Sequence, residues 1–336
     1  MPRISNPQNR PRPWALRIEL KRCLLQLGEL IAITAVLITL SSWGFTAHRH
    51  IVDVCVAWLP TEMRSFYKEH RAWLIEHALD ADLRKHSIAE ESPRHYIDLD
   101  AYHGDCDTLQ RWFPLSWEAA VTRWDEQTVL NRGVGPWHAN SVYHRLVNAF
   151  VRVDTTAILR HSIDLAHYLA DLHVPLHTTS NYNGQFSNQL GIHALWETQI
   201  PEQFLTLYAL HPDGKNFQCE YVEDVQRHIW NVALTSHRAL DHTFDAELQT
   251  RMQFEGMPID AYTQRGRVRQ LLRTESFVIA YESQLNGQVH HQMRLSVASI
   301  SSCWYSAWVD AGQPPLRPAT PRNVRVLKKL VDWLVK

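Results

Sequence analysis

The stretch "NSVYHRLVNAFVRVDTTAILRHSIDLAHYLADLH", Asn140–His173, decides the fold. Its apolar residues recur three and four apart, the period of a helix rather than of a strand. A polar break near Asp154 divides it into two helices. Working outward, "VDVCVAWLPTEMRSFYKEHRAWLIEHAL" reads as two more helices broken near Pro60. "VEDVQRHIWNVALTSHRAL" and "HHQMRLSVASISSCWYSAWVDAG" add others, the last stopping at Gly312. Clear alternating strand patterns are missing, and no internal repeat is visible. The expectation is a single all-α domain from about Trp43 to Gly312. A proline-rich connector, "QPPLRPATPR", then leads to a short amphipathic helix, "NVRVLKKLVDWLVK", within residues 313–336.

With 336 residues, 45% of them apolar, the chain can bury a sizeable core. Its first 42 residues read as a targeting segment. Arg3, Arg10, Arg12, Arg17, Lys21 and Arg22 precede the apolar run "LIAITAVLITL", which Ser41 and Ser42 follow. That order is the layout of a secretory signal, and the run is short for a bilayer span of about 20 residues. Export with cleavage near Ser42 is the expectation, to the periplasm or the medium. A membrane anchor at residues 24–42 is the alternative. Six basic and two acidic residues lie in the first 42, so a chain beginning at Trp43 carries a net charge near -5 rather than -1. That balance argues against nonspecific nucleic-acid binding. The spacing of Cys55, Cys106, Cys219 and Cys303 fits no zinc-cysteine motif.

The chemistry concentrates between Ser162 and Glu202. His167 and Asp171 are four apart and project from one helix face, and His193 and Glu197 repeat the spacing. Pro175 ends the first helix, which leaves His177 on the turn beyond it. Imidazole and carboxylate are ordinary zinc ligands. One such pair is weak evidence; two pairs with a histidine between them are stronger. "WGFTAHRH" adds Trp43 and His48, and "DADLRKHSIAEESPRHYIDLD" adds Asp82, Arg84, His95, Asp98 and Asp100. His173 is expected to face solvent or a neighbouring carboxylate. "NYNGQ" reads as a turn that borders the site.

Taken together, "WGFTAH", "DLR" followed by "HYID", "HYLADLHVPLH" and "GIHALWE" resemble the zinc-dependent phospholipases C and the related trinuclear-zinc single-strand nucleases. They follow that superfamily's order over most of residues 43–202. The resemblance implies a multi-helix domain of that type, residues 43–312, holding three Zn2+ ions. Asp82, His95, His167 and Asp171 would hold the first, with Asp80 a rival for Asp82. His177, His193 and Glu197 would hold the second. The amino nitrogen and carbonyl oxygen of Trp43, with His48 and a bridging Asp171, would hold the third. A free α-amino group binds metal once deprotonated, whereas a peptide nitrogen binds poorly, so cleavage after Ser42 would create that ligand. Arg84 would bind phosphate, orient Asp98 or form a structural salt bridge. Asp82 could also act as a base.

The implied activity is hydrolysis of phosphate esters by a zinc-dependent enzyme. Glu197 resembles the phospholipase branch, and the five-residue step from Trp43 to His48 resembles the nuclease branch. A phospholipase C-like phosphodiesterase is the first reading. A single-strand nuclease or 3'-nucleotidase is the second, and a zinc-stabilised binding protein without turnover is the third. The partner is therefore a phosphate-ester substrate, a phospholipid or a single-stranded nucleic acid or nucleotide. Peripheral membrane contact by the terminal helix is one use of its basic amphipathic pattern. No protein partner is implied.

Overall fold

The computed structural model describes residues 44–102, 106–212, 219–265 and 268–316. The segments assigned above to a signal or anchor, to most of the connector and to the terminal helix lie outside them, as does Trp43. Among the described residues no helix is long and apolar enough to cross a membrane.

The fold is all-α: helix accounts for 70% of the structure, beside one two-stranded sheet. The chain runs α1 Phe45–Trp58, α2 Thr61–Glu69, α3 Arg71–His77 and α4 Asp80–Arg84, then 3-10 turns at Ser92–His95 and Leu99–Ala101. Next come α5 Cys106–Trp112, α6 Trp117–Trp124, α7 Glu126–Asn131, α8 Gly135–Val151 and α9 Thr155–Leu172. After a 3-10 turn at Pro175–Thr178 follow α10 Ile192–Ala194, a π turn at Leu195–Gln199 and α11 Ile200–Phe204. The described part ends with α12 Val225–Arg238, α13 Leu240–Gln253, β1 Asp260–Arg265, β2 Val268–Arg273, α14 Glu275–Leu285 and α15 Gln288–Asp310.

Local chemistry sets these boundaries. Pro60 lacks an amide hydrogen and stands between α1 and α2. A second break, at His70, separates α2 from α3, so the first helical stretch holds three helices rather than two. The Asp154 carboxylate accepts from the Ala157 amide at 3.1 Å and caps α9. Past Leu172 the chain turns, and Pro175 opens the next 3-10 turn.

α9 is the central helix. It packs against α8, α15, α1 and α12, and every residue from Leu165 to Leu172 is buried. A helix buried all round must satisfy its own polar side chains inside the protein. On one side the Trp304 indole of α15 donates to the Ser162 carbonyl at 3.0 Å, and the Tyr67 and Ser162 hydroxyls are 2.8 Å apart. Tyr67 stacks on Trp304 with centroids 4.8 Å apart. The polar residues on another side, His167 and Asp171, form the site.

The strand expectation was incomplete. β1 and β2 form an antiparallel hairpin in which Tyr262 pairs with Leu271. Both residues are exposed, so backbone pairing defines the ribbon more than burial of an apolar face does. That is why the alternation is faint in the sequence. Cys55, Cys219 and Cys303 are buried free thiols.

Candidate metal centre

The site grows from the inner end of α9. His167 and Asp171 are 1% and 0% exposed. His167 Nδ1 donates to the Ala78 carbonyl at 3.0 Å, which directs Nε2 into the cluster. There it lies 3.4 Å from Asp82 Oδ1 and 3.5 Å from Asp171 Oδ2. His95, on the turn Ser92–His95, points Nδ1 at Asp171 Oδ2, 2.7 Å away, and lies 3.8 Å from Asp82 Oδ1. Asp80 turns away, pairing with His77 at 2.8 Å with its side chain 41% exposed.

The second group is built the same way. His177 Nδ1 donates to the His95 carbonyl at 2.8 Å, and Ile97 N donates to the His177 carbonyl at 2.9 Å. The two turns therefore hold each other. His177 Nε2 lies 3.1 Å from His193 Nε2 and 3.2 Å from Glu197 Oε2, and the last two atoms are 3.1 Å apart. Glu197 sits on the π turn, a local widening common at functional sites.

His48 of α1 closes the arrangement. Its Nε2 lies 3.4 Å from Asp171 Oδ1, and its ring stacks on His167 at 4.1 Å. The two Asp171 oxygens face different neighbours: Oδ2 toward His95 and His167, Oδ1 toward His48 and, at 3.9 Å, His177 Nδ1. Gly44 N donates to the Glu197 carbonyl at 2.8 Å and joins the start of α1 to the π turn. A β-carbon on Gly44 would meet Thr198 at 3.1 Å. Trp43, expected beside His48, lies outside the described residues.

Three sets in this cluster can hold a metal ion: Asp82, His95 and His167; His177, His193 and Glu197; His48, His167 and Asp171. His167 belongs to two of them but offers a single free ring nitrogen, whereas Asp171 turns one oxygen toward His48 and the other toward His95 and His167 and so can serve two ions at once. Buried atoms without a hydrogen bond supply a test of fit. They include His167 Nε2, Asp171 Oδ1 and Glu197 Oε1. Such atoms are costly to bury unless something pairs with them. Donors about 2.0–2.2 Å from one tetrahedral zinc ion lie about 3.3–3.6 Å apart. The 3.1–3.2 Å triangle of His177, His193 and Glu197 comes close to that, and the donor set suits zinc.

The electrostatics agree. Burial opposes ionisation of Asp171, but His167, His177, His48 and His95 outweigh it and hold the carboxyl well below its usual range. Asp82, half-buried beside His167 and Lys85, is likewise held low against its desolvation, and so is Glu197 beside His193 and His177. Burial pulls His167 down, yet Asp82 and Asp171 raise it to about 9. All three carboxylates are thus held ionised, and their oxygens are there for a cation to take over from the imidazoles.

Arg84 does not reach Asp98 among its described contacts. Its Nη2 bonds Asp164 at 2.8 Å, the Tyr168 hydroxyl at 3.0 Å and Glu91 at 3.3 Å. The salt-bridge reading is therefore the one the contacts favour. The adjacent Lys85, which the sequence reading passed over, is nearer the cluster: its Nζ lies 2.9 Å from Asp82 Oδ1 and its side chain is 8% exposed. Glu91 was also missed. It is fully buried, bonded by Tyr168 and Arg94, and 3.7 Å from His95 Nε2. Its sequence signal was its place four residues before His95. His173 is buried rather than solvent-facing, and its Nδ1 donates to the Leu169 carbonyl at 2.7 Å, outside the cluster. Asp100 anchors Thr179 and Ser180 just after His177.

Fold and site together define a predominantly helical, all-α-class protein with a histidine–carboxylate centre fit for metal. No family model matches the sequence, and a search of curated proteins finds no match.

Proposed function

We propose that the protein is a zinc-dependent phosphate-ester hydrolase of the phospholipase C type. The observation that carries this reading is the convergence of Asp82, His95, His167, Asp171, His177, His193 and Glu197 on one buried centre, with Asp171 facing two donor groups. In this reading Asp82, His95, His167 and Asp171 hold one ion, and His177, His193 and Glu197 a second. His48 and Asp171 contribute to a third, with the amino group and carbonyl of Trp43 supplied from outside the described residues. Bound there, clustered zinc ions act as Lewis acids toward a phosphoryl oxygen and lower the pKa of coordinated water.

The chain's own residues prepare the centre. The Ala78 and His95 carbonyls fix the tautomers of His167 and His177, so each presents Nε2. Lys85 offsets the charge of Asp82. Arg84 and Arg94 brace Glu91 and Tyr168 behind His95.

The test is a substrate panel for the zinc-loaded protein: phosphatidylcholine, other phospholipids, single-stranded DNA and RNA, and 3'-nucleotides. Hydrolysis is expected, and it is abolished by chelator and by His167→Ala but retained in His173→Ala. Turnover of nucleic acid alone would assign the nuclease reading. Zinc binding with no turnover of any of these esters would leave a binding protein and overturn the proposal.

A further inference from the structure

His95 has a carboxylate facing each of its ring nitrogens. Nδ1 lies 2.7 Å from Asp171 Oδ2, inside the cluster, and Nε2 lies 3.7 Å from Glu91 Oε1, on the far side of the ring. The neighbouring imidazoles are held differently. His167 and His177 give their Nδ1 protons to the Ala78 and His95 carbonyls, and His193 Nδ1 is buried with no hydrogen bond. Glu91 itself is 0% exposed and fixed from three directions. Arg94 Nη1 donates to its Oε2 at 2.6 Å, and Arg84 Nη2, at 3.3 Å, and the Tyr168 hydroxyl donate to its Oε1. A carboxylate that takes donors from two guanidinium groups stays ionised.

We infer that Glu91 is a positioning residue for the first metal ion: facing Nε2, it keeps the His95 proton on that nitrogen and leaves the Nδ1 lone pair for the metal. A neutral imidazole carries one N–H and one lone pair. A lone pair on Nε2 would point at a buried anion, whereas an N–H there is attracted to it, and Coulomb attraction at 3.7 Å outlasts the shorter range of a hydrogen bond. The partner of the outer nitrogen decides which nitrogen binds metal. His95 therefore presents Nδ1, where His167 and His177, tied to carbonyls, present Nε2. An anion behind the ring also makes it a more basic ligand than a carbonyl does. The first ion thus receives a stronger imidazole donor than the ion held by His177, His193 and Glu197.

The experiment uses the full chain loaded with zinc. Nitrogen NMR of histidine-labelled protein reads which ring nitrogen of each imidazole carries the proton and which the metal. His95 is expected to be protonated at Nε2 and bound at Nδ1, the reverse of His167 and His177. Competition with a chromophoric chelator then compares two variants. Glu91→Gln keeps the shape but removes the anion, and its amide can offer either an oxygen or an N–H to Nε2. It should lose about 10–100-fold in affinity for one zinc ion. Arg94→Gln removes a brace of Glu91 and leaves the carboxylate facing His95. It should lower the urea midpoint as Glu91→Gln does, yet bind zinc like wild type. A proton on His95 Nδ1 in the zinc-loaded wild type would overturn the inference, and that spectrum decides the point even where Glu91→Gln does not fold. Equal affinity losses in the two variants would also overturn it, reducing Glu91 to a structural brace. The inference rests on the metal reading and not on turnover. Zinc bound at His95 without hydrolysis of any ester fails the hydrolase reading alone, and a chain that binds no zinc fails both.

Discussion

At the scale of single residues, the centre is governed by competition between protons, an ammonium group and a metal cation for the same oxygens and nitrogens. Lys85 Nζ lies against Asp82 Oδ1 at 2.9 Å, and a cation bound by the Asp82 carboxylate shares its negative charge with that ammonium. Lys85→Met is therefore expected to tighten metal binding, on the order of tenfold for one neighbouring charge. It should also destabilise the metal-free protein. Competition with a chromophoric chelator measures the first effect, and an unchanged affinity would show that the ammonium does not oppose the metal. His167 adds a pH dependence to the metal-free state. Its pKa is raised to about 9 by Asp82 and Asp171 against the pull of burial. The resulting stabilisation is fully present below the ordinary imidazole value of about 6.5 and is lost as pH rises through about 9. Metal loading reverses the trend, because ligands must be deprotonated to bind. Urea midpoints at pH 6 and pH 9.5 should fall with pH in chelator. His167→Gln should flatten that fall, and a parallel fall in the variant would place the titration elsewhere.

At the scale of elements, α1 and the π turn are coupled through one glycine. Gly44 N bonds the Glu197 carbonyl, and the site of its missing β-carbon is 3.1 Å from Thr198. Gly44→Ala forces that contact apart and should cost about 1–3 kcal/mol as an overpacking change, with zinc lost from the His177, His193 and Glu197 group. Asp154→Ala removes the cap of α9 and should cost about 1 kcal/mol without changing zinc content. Thermal unfolding and elemental analysis separate the two, and equal zinc loss in both would deny the coupling. The sequence made much of this legible. The helical period, the Pro60 and Asp154 breaks and the four-residue pairs of α9 and the π turn all reflect short-range chemistry. What stayed hidden depends on tertiary placement. Arg84 and Lys85 are adjacent cations: the three-residue step from Asp82 to Lys85 is an ordinary helical pairing, whereas the partners of Arg84, Asp164 and Tyr168, come only from packing. A four-residue spacing reads alike on an α or a π turn, so the widening at Glu197 carries no separate signal. The β1–β2 ribbon pairs through its backbone with exposed Tyr262 and Leu271, which leaves little alternation to detect.

At the scale of the whole molecule, the same centre fastens together segments far apart in the chain. α1, α4, the turn at Ser92–His95, the inner end of α9, the turn at Pro175–Thr178 and the π turn all meet there through buried side chains. Without metal, those segments meet around three ionised carboxylates with orphaned atoms. A bound cation that ignores the unfolded chain stabilises the fold by mass action, ~4 kcal/mol at a thousandfold excess over its Kd. For a domain of this size that is roughly 10 °C in Tm. A chelator should therefore lower Tm by about that amount, and added zinc should restore it. Glu197→Gln removes one ionised ligand, so its chelator-induced shift should be smaller than that of wild type. Scanning calorimetry of both proteins with and without chelator decides the matter. A wild-type Tm indifferent to chelator would mean that the fold closes around this centre without a metal ion.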